Sequence, residues 1–369
     1  MSFRPATVAE AHTWLREKMD AAQPVALRGG DSRGLPTAGR PVLRTGSLDQ
    51  VLFFEPDDMV IGVGAGMKVT DLLKLTGQEN MGLPLDPWYD GTTVGSLIAF
   101  NDHGPRRLNT GGVRDAIIGL EYINGHGQVV KSGGRVVKNV TGYDLAKLHI
   151  GARGAFGLIT SVNFKLLPLP VSPRNLDLHY EDHSWLRQIR VLHKKMLPWD
   201  EVSVYGDGST VHVRLGYSGN APRAACLLER MQTETTGKSA SFPLDREGGV
   251  VSAIRRRPEA TEFTGHLHLS ASTGFLLQEF PWQSLDGLPC RWIAHPIGGD
   301  VHFFVRPDDA DTRHKIVQLC GSAAGGLKGP ALPVTETPPA LARLQTNLSR
   351  SLDPARIFVP PEVSAHGGS

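Results

Sequence analysis

The side chains best suited to chemistry in this sequence are a few histidines and arginines, and they stand apart from its glycine-rich loops. In the run Ala294-His295-Pro296-Ile297-Gly298-Gly299-Asp300-Val301-His302, two histidines lie seven residues apart. A second pair, His266 and His268, falls on one face of the strand-like run GHLHL. Imidazole titrates near neutrality and acts as a general base or a metal ligand. His295 and His302 show no third ligand at suitable spacing, so no metal centre is expected. An ordinary hairpin turn and a proton-accepting site both remain open for them. Arg106 and Arg107, in the run HGPRR, offer cations for an anionic ligand.

The loops promise different chemistry, because glycine amides can approach an anion with no Cβ in the way. The first is Arg28-Gly29-Gly30-Asp31-Ser32-Arg33-Gly34, after the strand-like Val25 to Leu27. The second is Thr92-Thr93-Val94-Gly95-Ser96, where threonine can cap a helix that offers its first amides to a ligand. The third is the turn Gly151-Ala152-Arg153-Gly154, which runs through Gly157 into Leu158 and Ile159. A dinucleotide-binding turn of the Rossmann type needs its glycines to run directly into a helix. Here Pro36 and Pro41 close the first loop and another strand-like piece follows, so that reading fails. Asp31 is the odd residue in an anion loop. Its carboxylate is expected to turn away from the anion, toward Arg33 or the N–H groups of its own turn.

The elements that must hold these loops can be read from spacing. Thr7 and Glu10 form a capping box, with Val8, Ala11, Leu15 and Met19 following at helical intervals. VLFFEPDDMVIGVGAG reads as a hairpin, and Val69 to Leu75 as a short helix capped by Thr70. Thr92 and Thr93 precede a helix through Gly95, Leu97, Ile98 and Ala99. AIIGLEYINGHGQVVKSGG is a second hairpin with Asn124 to Gly127 at its tip. Tyr143 to Ile150 reads as a helix, and Leu158, Thr160, Val162, Phe164 and Leu166 share one face of a strand. LLPLPVSP then breaks the pattern as a domain boundary. Beyond it, LDLHY, EVSVYG and STVHVRLGY alternate with helical stretches at Ser184 to Lys195 and Pro222 to Gln232, which suggests an antiparallel sheet with helices on one face. Pro338 and Pro339 start a last helix with Leu341, Leu344 and Leu348 on one side.

The bulk properties exclude several classes. The 369 residues allow two domains, and a net charge of +2 gives no electrostatic case for nucleic acid. No apolar run reaches the roughly 18 residues of a membrane span, and the N-terminus lacks a signal-peptide layout, so a cytoplasmic location is expected. The three cysteines lie far apart and suggest neither a disulfide framework nor a zinc or iron–sulfur site. Of the 42 glycines, 24 lie in the first 170 residues, so the loop-built chemistry belongs to the first half.

Three passages together resemble a known family: LRGGDSRG, then DGTTVGSLIAFNDHGPRR followed by GGVRDAIIGLEYINGHGQVV, then KNVTGYDLAKLHIGARGAFGLIT. They are similar to the FAD-binding domain of the vanillyl-alcohol oxidase / p-cresol methylhydroxylase (PCMH-type) superfamily. Within it, they most resemble the FAD-binding subunit of bacterial glycolate oxidase. The resemblance covers about residues 5 to 170, with a weaker echo in LDPARIFVPPE near the C-terminus. It implies an α+β fold: a PCMH-type FAD-binding domain of two α+β subdomains at 1–170, rejoined by 338–362, with a smaller antiparallel-sheet cap domain at 171–337. It implies non-covalent FAD, since Asp31 takes the slot of the histidine that some members link to the flavin. Cofactor contacts then fall to Arg28, Gly29, Gly30, Asp31, Ser32, Thr92, Thr93, Val94, Gly95, Ser96, Asp115, Gly151, Gly154, Gly157, Leu158 and Ile159. For Asp115, bracing loop amides is a further role; Tyr143 and Asp144 are expected to seal the helix behind the site. In the C-terminal echo, Val359 and Pro361 replace the family's asparagine and glycine.

The histidine run is similar to the H-x-G-D-G-N-x-H motif of flavin-dependent 2-hydroxyacid dehydrogenases, with both histidines kept and the centre rewritten. The catalytic candidates implied are His295 or His302 as base and Arg106 and Arg107 for the substrate carboxylate. The function implied is a redox subunit of a glycolate-oxidase-like complex that oxidises a small 2-hydroxyacid, acting with a catalytic flavoprotein subunit and an iron–sulfur subunit. Peripheral membrane association would come only through that complex. A non-catalytic assembly subunit and a stand-alone dehydrogenase are the alternatives.

Overall fold

The computed structural model describes residues 2–31, 37–83, 85, 87, 91–136, 144–169, 174–195, 199–206, 210–217, 222–223, 225–227, 229, 238–243, 265–270, 272–306, 308–320, 327–328 and 339–359. The chain divides into two compact units. One comprises residues 1–104, 111–169 and 337–362; the other comprises 105–110, 170–336 and 363–369. The short segment carrying Arg106 and Arg107 therefore goes with the second unit, although it interrupts the first in sequence.

Among the described residues the first unit holds three sheets, one of them only the short antiparallel pair Met81–Gly82 with Leu167–Pro168. Ser2–Phe3, Val42–Arg44 and Ala26–Arg28 pair in parallel, in that order. Helix Val8–Asp20 packs its Ala11, Trp14 and Leu15 into the same core as Val25 and Leu43. Thr7 caps that helix by accepting from the Glu10 N–H at 3.1 Å, and the Glu10 carboxylate reaches back to the Ala6 N–H. The largest of the three is antiparallel, ordered Val51–Glu55, Val60–Gly64, Leu158–Lys165, Ile117–Ile123, Val129–Gly133. Its first two strands are the hairpin read from sequence, and so are its last two. The alternation on Leu158–Lys165 is real: Leu158, Thr160, Val162 and Phe164 are all buried.

Several local expectations are corrected. Helix Val69–Gly77 takes its N-cap from Lys68 and not from Thr70, with no side-chain cap bond. Thr93 alone caps helix Val94–Ala99, through an acceptor contact with the Ser96 N–H. The helix expected over 143–150 is described only as the single turn Ala146–His149; Tyr143 lies outside the described residues. Helix Pro339–Leu352 forms, but Leu344 is 54% exposed, so its apolar stripe is not wholly inward.

The second unit is an eight-stranded antiparallel sheet. Its order is Lys238–Pro243, Arg174–Tyr180, Val211–Tyr217, Glu201–Gly206, Cys290–His295, Asp300–Val305, Gly265–Ser270, Leu327–Lys328. Alternate residues of these strands build one core with helices Ser184–Lys194 and Ala310–Cys320: Leu176, Val202, Val213, Trp292 and Phe303 meet Trp185, Ile189 and Ile316. Period-2 alternation then forces the intervening residues to the opposite face. Those are Asp177, Arg214, Glu201, Ser203, His295, Asp300 and His302. Cys290 and Cys320 are buried, and burial pushes both thiols up to about 12, so they act as apolar packing. Of the helix expected from Pro222 to Gln232, residues 222–223, 225–227 and 229 are described and are helical; the rest lie outside the described residues.

Candidate functional site

In the first unit, two loops meet. A Cβ on Gly29 would sit 2.2 Å from Thr93 Oγ1, and one on Gly30 would sit 1.8 Å from the carbonyl oxygen of Gly91. No other residue type fits at either position while the loops stay this close. The N–H groups of Val94 and Gly95 are spent inside the fold: they donate to the carbonyls of Met67 and Ala65 at 2.9 and 2.8 Å. The Ser96 N–H points at the Thr93 hydroxyl, 3.4 Å away. The helix start expected to present Val94, Gly95 and Ser96 amides to an anion is thus occupied by its own chain. Gly95 instead serves packing, with an added Cβ falling 3.2 Å from the Ala65 Cβ.

Donors remain on the facing edges. Within the described residues, the amides of Gly29, Gly30, Asp31, Thr92 and Thr93 make no hydrogen bond to the protein. The Thr92 hydroxyl is fully buried and also lacks a partner. A buried hydroxyl and a run of unspent amides cost stability unless an acceptor meets them. Such a set of unspent donors suits an anion, as backbone nests do.

Asp31 shows how the cradle tolerates a carboxylate. Its backbone is left-handed at φ 53°. Its side chain bonds Arg44 and lies 3.4 Å from Arg28 Nε. Among the described residues its partners are these two arginines; Ser32 and Arg33, on which the expected contacts fall, lie outside the described residues. Arg28 is 8% exposed, and its burial lowers the guanidinium pKa, against the opposing pull of Asp31. Asp31 thus neutralises a buried cation beside the loop, and leaves the anion to the amides.

The third loop supports the first two. Gly151 and Arg153 donate to the carbonyls of Ile98 and Ala99 at 3.0 and 2.8 Å, fastening the turn to the end of helix Val94–Ala99. Gly154 (φ 83°) abuts the Leu27 side chain, and Gly157 (φ 140°) abuts the Ile123 carbonyl. Leu158 and Ile159 point into the core, and their strand is the middle one of its sheet. They offer a ligand no side chain. Asp115 accepts from the Gly112 N–H at 2.8 Å and braces its own turn. Asp144 pairs with Lys147 at 2.7 Å.

The C-terminal segment closes the unit. Asp353, buried, accepts from the Ile357 and Phe358 N–H groups at 3.0 and 2.7 Å, and its burial raises its pKa. Phe358 bridges Val25 in parallel, and the Leu352 carbonyl accepts from Gly125 at the hairpin tip. A groove results, lined by Val25 to Arg28, Arg40, Arg153, Gly154, Phe358 and Val359. Arg40 carried no signal in the sequence, and Arg153 was read only as part of the third loop; their approach depends on segments far apart in the chain.

In the second unit, the polar sheet face holds both candidate histidines, each 4% exposed. His295 Nδ1 lies 3.1 Å from Ser203 Oγ, and Ser203 Oγ lies 2.6 Å from Glu201 Oε1. Asp300 is the cross-strand partner of His295 and sits 3.5 Å from Arg107 Nη1. Arg106 is adjacent on the same segment. Gly265–Ser270 registers His268 opposite His302. No group of three metal-binding side chains occurs among the described residues. Ser203 and Glu201 were invisible in the sequence, since Ser203 lies 92 residues from its histidine.

These geometries have relatives. Residues 1–133 match the family model described as an FAD binding domain. The first unit thus carries an FAD-binding domain, and the α+β fold with its PCMH-type domain is the one expected. The chain is 34% identical over 155 residues to the glycolate oxidase subunit GlcE of Escherichia coli, covering 40% of this chain and 43% of that one. It is 32% identical over 148 residues to the subunit GlcD of Bacillus subtilis, covering 40% of this chain and 32% of that one. A D-2-hydroxyglutarate dehydrogenase of Xanthomonas citri pv. viticola is 27% identical over 355 residues, 86% of this chain and 75% of that one. The matched region spans less than half the length of either glycolate oxidase subunit. A solved structure of alkyldihydroxyacetonephosphate synthase superposes with a TM-score of 0.75 at 12% identity, over 98% of this chain and 77% of that one. Among the described residues no helix is long and apolar enough to cross a membrane.

Proposed function

We propose that the chain is the FAD-binding redox subunit of a complex that oxidises a small 2-hydroxyacid. The carrying observation is the cradle, in which unspent amides of Gly29 to Asp31 face Gly91 to Thr93 with the buried Thr92 hydroxyl beside them. A dianionic pyrophosphate satisfies such a set, and the residues fit the cofactor that the family model implies. Arg28, Gly29, Gly30, Thr92 and Thr93 would hold its phosphates, and the groove edged by Arg40, Arg153 and Val359 its extension. When bound, the flavin supplies a two-electron acceptor. Gly154 and Gly157 keep the wall of the site thin. Asp31 keeps Arg28 in place and cannot form a histidyl linkage, so the cofactor dissociates.

The named relatives supply the substrate class, as glycolate oxidase subunits and a D-2-hydroxyglutarate dehydrogenase. Hydroxyacid oxidation needs a base and a cation for the carboxylate. His295 supplies the first, and Arg106 and Arg107 the second. The three cysteines do not cluster, so electrons would leave through an iron–sulfur partner. The purified chain should show a flavin absorption band, and acid precipitation should release all of the colour to the supernatant. Reconstituted with its flavoprotein and iron–sulfur partners, it should be bleached by glycolate or D-lactate. A colourless chain that takes up no added FAD, or a yellow denatured pellet, would refute this account of the cofactor.

A further inference from the structure

We infer that Glu201 and Ser203 are positioning residues that lock His295 in the Nδ1–H tautomer, leaving Nε2 as the nitrogen that gains and loses a proton. The inference follows from counting protons along the chain Glu201–Ser203–His295. A carboxylate accepts and cannot donate, so the 2.6 Å contact between Ser203 Oγ and Glu201 Oε1 uses the one hydroxyl proton. That length is typical of an O–H bonded to a charged acceptor. Ser203 Oγ then has only lone pairs to offer His295, and the 3.1 Å contact with Nδ1 must be an N–H donation from the ring. The ring's lone pair is left on Nε2. Free neutral imidazole side chains have no such constraint, so the tautomer here is imposed by the neighbours.

The groups are built to stay in place. Ser203 and His295 are 3% and 4% exposed, on adjacent antiparallel strands. Glu201, two residues before Ser203, shares its face of the strand. Other charges bear on the same ring. Asp300 pairs across from His295, Arg107 lies 3.5 Å from Asp300, and His302 follows two residues on. Arg214, on the strand beside Glu201, interacts with it electrostatically and is hydrogen-bonded to Asp177. The assignment of His295 as substrate base rests on the function proposed above; the tautomer does not.

The test is long-range proton–nitrogen NMR on the full chain with 15N-histidine, recorded at a pH where the ring is neutral. His295 is assigned by the signals lost in His295→Gln. The expected result is a protonated, pyrrole-type nitrogen at Nδ1 and a bare, pyridine-type nitrogen at Nε2. Ser203→Ala should release the ring to the Nε2–H form or a mixture, and Ser203→Thr, which keeps the hydroxyl, should restore the Nδ1–H form. In the reconstituted complex, Ser203→Ala should lower kcat about 10-fold or more with little change in KM. A pyridine-type Nδ1 in the unmodified chain overturns the inference, as does an unchanged pattern in Ser203→Ala. An Nδ1–H tautomer together with full turnover in His295→Gln supports the inference and removes His295 as the base.

Discussion

The two units solve the problem of holding a reactive group in opposite ways. In the first, the unspent donors are main-chain amides together with the Thr92 hydroxyl, and the other side chains near them are bonded to protein groups. Asp31 holds Arg28 and Arg44, Asp115 braces its own turn, and Thr93 caps a helix. In the second, the chemistry is in side chains on one face of a sheet, with Glu201, Ser203 and His295 in series and Asp300 beside Arg107. A backbone site depends on which residues lack a side chain. A side-chain site depends on which residues the sheet brings together. The two should therefore fail under different substitutions.

The largest expected effect lies in the backbone site. Gly30→Ala places a Cβ 1.8 Å from the Gly91 carbonyl, a main-chain atom that cannot swing aside. The loops must part, and FAD affinity should fall at least about 100-fold, equivalent to roughly 3 kcal/mol. Flavin absorbance of the purified variant, titrated with added FAD, measures it. Gly39→Ala is the control: it meets nothing within 4 Å, and only its φ of 71° is strained. Equal losses in both variants would break the comparison, because general loop stiffness and not loop contact would then explain the glycines.

The same contrast explains what the sequence disclosed. Gly29, Gly30, Gly154 and Gly157 were legible because a missing Cβ is a local property that the letters record. The N-terminal helix and both hairpins were legible from their periodicity and turn residues. The spent amides of Val94 and Gly95 were not, since their acceptors at Met67 and Ala65 come from a turn nearly thirty residues earlier. Thr70 failed as a cap because the chain enters that helix two residues sooner, at Lys68. Leu158 and Ile159 were read as offering backbone groups to a ligand; that both side chains are buried, on the middle strand of a sheet, is a tertiary fact that the alternation does not record. Ser203 and Glu201 carried no signal, for a serine two residues after a glutamate is ordinary on any strand.

Buried histidines sharpen the comparison next. His149, in the first unit, is 2% exposed and packs against the Tyr122 ring at 4.1 Å. Burial pushes its pKa down to about 4. The unfolded chain takes up this proton near pH 6.5, so stability is complete above that value and is lost as pH falls toward 4. The loss should approach about 3 kcal/mol. Urea midpoints at pH 7 and pH 4.5 should show it, and His149→Phe should flatten the slope. An unchanged slope would mean that some other group carries the acid sensitivity of this unit.

A smaller effect is expected at the C-terminal clasp. Asp353→Asn retains one acceptor oxygen for the Ile357 or Phe358 N–H and loses the other, at a cost of about 1–2 kcal/mol. Because Phe358 and Val359 edge the groove, FAD affinity should weaken along with thermal stability. Stability loss with unchanged affinity would detach this segment from the backbone site.

The smallest expected effect tests the comparison most directly, because it removes a charge from the middle of the cradle. Asp31→Asn keeps the left-handed backbone, which asparagine adopts readily, and keeps an oxygen for Arg44. The ion pairs lost are more than a third exposed on the Asp31 side, so screening limits their contribution to less than about 1 kcal/mol. Removing a negative charge beside a dianion, with Arg28 and Arg44 less neutralised, should tighten FAD binding by a few-fold, roughly 0.5–1 kcal/mol, and more at low ionic strength. Isothermal titration at two salt concentrations reads both. The corresponding change in the second unit, Glu201→Gln, removes a charge from a chain in which the side chain is the site, and should lower turnover instead. If Asp31→Asn abolished FAD binding while Glu201→Gln left turnover intact, the division between a backbone site and a side-chain site would be reversed.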